Sequence, residues 1–310
     1  MLRYIQWRIL RGVPVLLGIS FIVFMMLHLL PGDPVTAMLS ESSAASAEAV
    51  ELKREQLGLN DPLIVQYGRF LGGALQGDFG QSILTNRDVT ESILTVLPST
   101  LRLTFAAMAI AIVLGVVLGV LAAVRQNSWI DSFCMLFSLI GVSIPVFFIG
   151  ILFIYVFSIR LGLVPVTSGG GGSRIILPAV ALGLGSASII ARLVRTSLLE
   201  VLRQDYIQTA RAKGLTERRT TIVHGLRNAL IPVVTIMGLQ FGALLGGAVI
   251  TETVFARQGI GQLAVNAVID RDFPMVQGTI LLSAAGYLLV NILVDISYAW
   301  LDPRVKVFQE

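Results

Sequence analysis

The stretch LTFAAMAIAIVLGVVLGVLAAV, Leu103–Val124, runs for 22 positions without a charged side chain. A helix needs about 20 predominantly apolar residues to cross a hydrocarbon core about 30 Å thick. Five more charge-free windows lie in the 310-residue chain: Gly12–Gly32, Ser132–Ile159, Ile175–Ala191, Asn228–Thr251 and Phe273–Val294. Because lipid offers no partners to backbone groups, each window is predicted to be helical. The pattern predicts an all-α integral membrane protein with six transmembrane helices.

Three details of these windows predict how the spans are shaped. Ile175–Ala191 is the shortest window, and the side chain of Arg192, at the end of this span, can snorkel to the interface. Pro145 is expected to kink the third span. Two glycine pairs at four-residue spacing predict close helix packing: Gly115 with Gly119, and Gly242 with Gly246.

The composition excludes several classes of protein. Only 14% of the residues are charged and 55% are hydrophobic, whereas soluble domains carry about 25% charged residues. The net charge of +4 is typical of basic loops beside a membrane, and we expect no nucleic-acid partner. The single cysteine, Cys134, forms no disulfide framework, and neither a metal motif nor a catalytic set of side chains is recognisable. We therefore expect no catalytic residues, no bound metal and no bound cofactor in this chain.

The distribution of Lys and Arg predicts the orientation. Arg3, Arg8 and Arg11 precede the first span, whose apolar run exceeds the about 7–15 residues of a signal peptide, so we interpret it as an uncleaved anchor. If the N-terminus is cytoplasmic, the short loops on that side hold most of the cations, including all those from Arg192 to Arg227. The positive-inside rule then predicts that both termini are cytoplasmic.

The loop after the first span is too long for a simple connection. SAEAVELKREQLGL (Ser46–Leu59) has the pattern of an amphipathic helix, and PLIVQYGRFLGGALQGDFGQSI (Pro62–Ile83) continues with apolar residues at helical spacing. We predict a small folded cap outside the membrane. A later loop, TSGGGGSR (Thr167–Arg174), is predicted to be a flexible linker. The chain contains no Walker-type phosphate loop, so any ATP must bind to another polypeptide.

One basic segment is more elaborate than topology requires. LLEVLRQDYIQTARAKGL (Leu198–Leu215) is predicted to form one helix with Leu202, Tyr206 and Ala210 along an apolar stripe. Gly214 is expected in the left-handed position that ends the helix, with Leu215 folding back toward Ala210. Thr216 is then expected to cap a second helix that starts with Glu217. Under one interpretation, the cations of this segment only determine which side of the membrane it faces. Under the other, which the residues support equally, the small residues at 209, 210 and 212 form a surface on which a partner protein docks.

A few polar residues within the spans are weaker candidates. Gln240, Asn291 and Asp295 lie in or beside apolar windows, where polar groups mark a substrate pathway or pair helices with one another. Both interpretations remain open for all three residues.

The stretch QTARAKG (Gln208–Gly214) resembles the Glu-Ala-Ala loop of membrane permeases in bacterial ATP-binding-cassette importers. Gln208 replaces the glutamate, and the downstream proline, Pro232, lies later than in the general pattern. Both departures are typical of the dipeptide, oligopeptide and nickel permeases. LHLLPGDPV (Leu27–Val35), SIPVFFIGILFIYVFS (Ser143–Ser158) and LDPRV (Leu301–Val305) also resemble that branch, so the similarity covers nearly the whole chain.

The resemblance implies a type I importer permease fold in a bacterial inner membrane. It divides the chain into residues 1–32 with the first span, a loop domain at 33–98, and a five-helix core at 99–310 with a coupling loop at 198–228. The implied partners are a paralogous second permease, two ATP-binding subunits that carry ATP and Mg, and an extracytoplasmic substrate-binding protein. The implied coupling residues are Asp205, Tyr206, Gln208, Thr209, Ala210, Arg211, Ala212, Lys213, Gly214 and Leu215.

The implied cargo is a dipeptide or oligopeptide. Nickel complexes, glutathione and oligosaccharides are alternatives within the same machinery. A stand-alone transporter driven by an ion gradient is the rival class. It fits less well, because the sequence shows no internal repeat and few charges within its spans.

Overall fold

The computed structural model describes residues 2–29, 51, 54–55, 58, 60–164 and 175–301, with the side chains at 2–5, 27 and 294–301 left out. Within these ranges the chain is helical, and the only strand-like pairing is an isolated bridge between Gln81 and Asp88. Most of Ser46–Leu59 and all of Thr167–Arg174 lie outside the described residues. The helix and the linker predicted there stay predictions.

Eleven α-helices and two π-helices follow one another in the described part of the chain. They are α1 (Leu2–Leu29), α2 (Leu63–Gln76), α3 (Val89–Val124), α4 (Trp129–Ser143), α5 (Val146–Phe153), π1 (Ile154–Arg160), α6 (Ile176–Leu202), α7 (Asp205–Ala212), α8 (Glu217–Arg219), π2 (Thr220–Leu226), α9 (Arg227–Val254), α10 (Ile260–Ile269) and α11 (Phe273–Leu301). Five stretches are long and apolar enough to cross a membrane, and the bent pair from Trp129 to Arg160 makes six. The predicted all-α membrane fold is confirmed.

The third span is bent far more sharply than a proline kink requires. Trp129–Ser143 and Val146–Arg160 meet at 104°. Ile144, just before Pro145, is extended at φ −88° and ψ 126°, as expected where a proline ring clashes with a helical residue before it. The span is therefore two helices joined by a corner.

The basic segment differs from prediction. Helix α6 continues from the fourth span through Arg192 to Leu202. The chain then turns, and Gln204 is extended at the start of α7. The single helix predicted over Leu198–Leu215 is wrong, and so is its continuous apolar stripe. After the turn, Ile207 is the residue of α7 that is fully buried, whereas Tyr206 of the predicted stripe is exposed.

Glycines allow α3 and α6 to pack closely. A β-carbon added at Gly115 would lie 2.8 Å from the carbonyl oxygen of Ala187, and one at Gly119 would lie 2.6 Å from that of Ala191. The prediction for this pair is confirmed. At Gly246 an added β-carbon would meet nothing within 4 Å. The prediction that Gly246 packs closely against another helix is therefore wrong within this chain.

The chain divides into two compact units, Met1–Ser99 with Gln258–Leu289, and Thr100–Arg257 with Val290–Glu310. In the first unit, a core around Val89, Ile93 and Val276 joins the start of α3 to α11. Asp272 is buried there and accepts hydrogen bonds from the Ser82 hydroxyl and from the backbone N–H of Ile83 at 3.2 Å. This carboxylate ties the loop after α2 to the beginning of α11. Whether residues 33–98 form a domain of their own stays a prediction.

Candidate functional site

The coupling residues implied by the sequence lie on one short helix and the turn that ends it. Helix α7 begins with Asp205 in its first turn, where a carboxylate is favoured by the positive end of the helix dipole. Ile207 is its buried residue, with 0% of its surface exposed. Thr209 donates its hydroxyl to the Asp205 carbonyl at 3.0 Å. One apolar side chain therefore holds an otherwise exposed helix against the protein.

Gly214 ends α7 as predicted. Its φ of +83° is left-handed, and an added β-carbon would meet nothing within 4 Å. The Gly214 N–H donates to the Arg211 carbonyl at 2.9 Å, and the Leu215 N–H donates to the Ala210 carbonyl at 3.3 Å. These two bonds form the Schellman closure. Glycine is favoured here by the left-handed backbone conformation and not by lack of space, since there is room for a side chain.

The turn after Gly214 is fixed by a cap and an ion pair. Thr216 accepts a hydrogen bond from the Arg219 N–H at 3.4 Å, which confirms the predicted N-cap of the next helix. Arg211 Nε and Nη2 donate to the two carboxylate oxygens of Glu217 at 2.8 and 3.1 Å. A planar guanidinium and a carboxylate in this geometry hold each other's orientation as well as their distance. The last turn of α7 is thus joined to the first turn of α8.

Tyr206 connects α7 to the start of α9. Asn228 Nδ2 donates to the Tyr206 hydroxyl at 2.7 Å and to the His224 carbonyl at 3.2 Å. Between α8 and α9 the chain is π-helical, and Gly225 lies where a β-carbon would come within 3.2 Å of Leu198 and Leu202. The segment from Asp205 to Asn228 is therefore held at both ends, by the end of α6 and by the start of α9.

The exposed surface of this segment is polar or small. Among the ten implied residues, Ala210 and Leu215 are half-buried and the other eight are exposed: Asp205, Tyr206, Gln208, Thr209, Arg211, Ala212, Lys213 and Gly214. The structure brings all ten into one helix and turn. We name this surface the α7 turn, Asp205–Leu215.

The weaker candidates lie elsewhere. Gln240 on α9 accepts a hydrogen bond from the Ser186 hydroxyl on α6 at 2.9 Å, which fits the interpretation that it pairs helices. Asn291 is half-buried in α11. Asp295 also lies in α11, but its side chain is outside the described part of the chain. A pathway role for these three residues stays a hypothesis.

Sequence reasoning missed a partly buried ion pair between α4 and α6. Arg195 Nε and Nη2 donate to the two carboxylate oxygens of Asp131 at 2.6 and 2.7 Å, and Asp131 also accepts from the Asn127 N–H at 3.0 Å. Asp131 is buried. Its place four residues after a left-handed Asn127 was a local signal, but no sequence pattern identified Arg195 as the partner. The pair fixes α4 to the helix that leads into α7.

A second buried group, also unanticipated, shapes the end of α9. Glu252 is fully buried and accepts a hydrogen bond from the Thr100 hydroxyl at 2.6 Å. Its carbonyl accepts from the Arg257 N–H at 2.8 Å, across a turn in which Ala256 is left-handed at φ +47°. Burial lowers the pKa of Arg257 below its usual value, although the attraction of Glu252 partly opposes this. The contacts of Glu252 fix the turn that follows α9.

Two family models together match almost the whole chain. The model of the binding-protein-dependent transport system inner membrane component matches residues 115–307, and the N-terminal model of such membrane components matches residues 1–104. The glutathione transport system permease protein GsiC of Escherichia coli strain K12 is 43% identical over 306 residues, covering 99% of each chain. GsiC of Salmonella paratyphi A is 44% identical over the same length and coverage.

Two solved structures share the fold. An inward-facing form of the MetNI methionine ABC transporter matches with a TM-score of 0.58 and 23% identity, over 68% of this chain and 96% of that one. An amino acid ABC transporter with histidines matches with a TM-score of 0.53 and 19% identity, over 69% and 94%. The spans, the family models and the full-length relatives agree, and the chain belongs to the family of inner-membrane permeases of ATP-binding-cassette importers.

Proposed function

We propose that this chain is the translocating subunit of an importer for glutathione and similar short peptides. The observation that supports this cargo is the 43% identity, over 99% of both chains, to permeases named for glutathione transport. Longer oligopeptides, nickel complexes and oligosaccharides are the other cargoes of the same machinery. The permease itself performs no chemistry, and ATP with Mg is bound by partner subunits.

The α7 turn is the element through which ATP hydrolysis moves the permease. Eight of its residues are exposed, and none of them is a large aliphatic side chain, so its surface suits a protein cleft. Rigid-body motion of packed helices is a common way to transmit such a change. The closures at Gly214 and Glu217 keep the turn from deforming when a partner pushes on it.

The assembly comprises this chain, a paralogous second permease, two ATP-binding subunits and a substrate-binding protein on the opposite side of the membrane. Both termini and the α7 turn face the cytoplasm in this arrangement. The concentration of Lys and Arg between Arg192 and Arg227 supports that orientation.

Reconstitution tests the transport proposal. The complete complex in proteoliposomes should accumulate labelled glutathione when ATP and the binding protein are supplied, and the chain without its ATP-binding subunits should not. A dipeptide, a longer peptide and a nickel complex are run in parallel to rank the cargoes. Uptake by the isolated chain in response to a proton or sodium gradient contradicts the proposal and supports a stand-alone transporter.

Two substitutions at Gly214 test the docking role. Gly214→Val should impair both recovery of the complex and ATP-driven uptake, because a β-branched residue resists the left-handed conformation found there. Gly214→Asn is the matched control. Asparagine tolerates that conformation, and the open space around the position accommodates it. The docking role is wrong if the valine variant assembles and transports as well as the asparagine variant.

A further inference from the structure

Helix α2 has an apolar face that nothing in the described part of this chain covers. Its sequence is LIVQYGRFLGGALQ, and Ile64 and Leu75 are 81% and 88% exposed. Eleven residues make three helical turns, so these two side chains project from the same side. Gly68 lies between them, and a β-carbon there would meet nothing within 4 Å. The exposed side is therefore smooth, open and uncharged.

Helix α2 binds α1 through two adjacent residues, Gln66 and Tyr67. The hydroxyls of Tyr67 and Ser20 share a hydrogen bond of 2.9 Å, and the Tyr67 ring packs edge-on against Phe21 with centroids 5.7 Å apart. About two helical turns closer to the end of α1, His28 Nε2 and Gln66 Oε1 are hydrogen-bonded at 3.1 Å. Gln66 lies on the side of α2 opposite Ile64 and Leu75, and Tyr67, three residues from Ile64, lies on the flank between the two sides.

The contacts also place α2 beside the last turns of the apolar part of α1. The first span runs over Gln6–Met26, and Ser20 precedes its end by a length of helix of about 9 Å. The Tyr67 hydroxyl that binds Ser20 therefore lies inside the level at which the span ends. A helix attached there at Tyr67 lies level with the last two turns of this apolar span.

The charges of α2 are compatible with this position. Arg69 is the one charged residue in the helix, and its Nη2 lies 2.6 Å from Asp61 Oδ2. A cation held by a carboxylate is less costly near hydrocarbon than a free one. The single charge of the helix is thus neutralised in place.

The apolar face of α2 is continuous with that of the first span. Phe21, which contacts Tyr67 of α2, is itself half exposed, and so are its neighbours Ile22 and Met26 on α1. Apolar side chains exposed on a membrane-spanning helix contact lipid. The exposed face of α2 adjoins those side chains of α1, so it is expected to contact lipid too. Exposed apolar surface of this extent is unusual beside water.

We propose that α2 is an interfacial helix that lies in the bilayer surface, with Ile64 and Leu75 inserted among the lipids of the leaflet that meets the end of α1 near Met26. The segment after the first span is then anchored to the membrane along the length of α2, in the manner of amphipathic helices that lie in the interface plane. The occupant of the exposed face is lipid. This proposal depends on the membrane assignment and is independent of the cargo and of the α7 turn.

Spin labels in nanodiscs test it. In the assembled complex with Cys134→Ala, single cysteines at Ile64, Leu75 and Gln76 are labelled, and their relaxation by oxygen and by a water-soluble nickel chelate is compared. Gln76 is the matched control, an exposed polar residue in the last turn of the same helix. Oxygen is enriched in lipid and the chelate in water. The labels at 64 and 75 should show an oxygen-to-nickel ratio several-fold above that at 76.

Two outcomes would overturn the proposal. Equal ratios at the three positions would mean that α2 projects into water. Low access of both reagents at 64 and 75, with a restricted nitroxide spectrum, would mean that a protein covers the face. Repeating the measurement without the binding protein and without the second permease identifies which partner does so. Since none of these readings uses transport, failure here and failure of the importer proposal are distinguishable.

Discussion

Helices α2 and α7 are closed by the same local structure and expose opposite chemistry. At the end of α2, Gly77 is left-handed at φ 78°, its N–H donates to Ala74, and the next N–H donates to Gly73. Gly214 ends α7 with the same pair of bonds. The outward residues of α2 are Ile64 and Leu75, whereas α7 presents Gln208, Arg211 and Lys213.

The difference shows that the ends of a short helix do not determine what it contacts. The glycine closure is a property of a few consecutive residues, and it serves both helices equally. What covers each helix follows from the exposed side chains and from the element to which it is attached. Helix α7 follows α6 after a turn and suits a protein partner, and α2 lies on α1 and suits lipid. Three substitutions test this contrast.

The largest effect is expected at Asp131. Asp131→Asn removes the charge that neutralises Arg195 and should destabilise the complex by about 2 to 3 kcal/mol. Breaking a fully buried pair from one side costs about 3–5 kcal/mol, and the Arg195 side chain that is left without its partner is 25% exposed. Thermal unfolding in detergent measures this loss. Spin labels on α2 should keep their spectra at temperatures below unfolding, because α2 is attached elsewhere.

A double variant provides the control for this experiment. Asp131→Leu with Arg195→Met replaces the pair by apolar side chains, and such replacements are often neutral. It should recover most of the lost stability. An unchanged melting temperature in Asp131→Asn would show that the ion pair contributes little.

A smaller effect is expected at Ile207. Ile207→Ala removes the buried side chain that holds α7 and should cost about 2 kcal/mol, at the low end for an aliphatic residue cut to alanine. The helix should detach locally, so trypsin should cleave at Arg211 and Lys213 faster while the spans remain folded. Ile64→Ala is the same substitution on the exposed face of α2, and in detergent it should leave stability unchanged. Equal destabilisation by Ile207→Ala and by Ile64→Ala would show that Ile207 does not hold α7 more firmly than Ile64 holds α2.

The smallest effect is expected at the ion pair of the α7 turn. Arg211 and Glu217 side chains are 39% and 70% exposed, and an exposed pair contributes about 0.5 kcal/mol. Arg211→Gln should therefore change the melting temperature little, and the change should vanish at high salt. A large loss of complex recovery with unchanged stability would mean that Arg211 contacts the partner directly.

The features that were predictable from the sequence are those encoded by neighbouring residues. Charge-free windows located the spans, and Gly214, Thr216 and Glu217 specified the closure of α7 and the start of α8. The turn at Arg203 and Gln204 was missed, because it depends on where Ile207 is buried. Arg192 lies within α6 because this helix extends beyond the charge-free window. A hydropathy pattern locates the apolar part of a helix and does not show where the helix ends. The partner of Asp131 lies 64 residues away, and no local pattern connects the two.

The length of α6 has a mechanical consequence. From Ile176 to Leu202 it is one uninterrupted helix of 27 residues, about 40 Å long. Near its middle the backbone rests against Gly115 and Gly119 of α3, with no room for a side chain between them. A rigid rod supported at its centre is a lever. Any tilt about that contact moves Leu202, beside the α7 turn, and Ile176, at the far end of the span, in opposite directions.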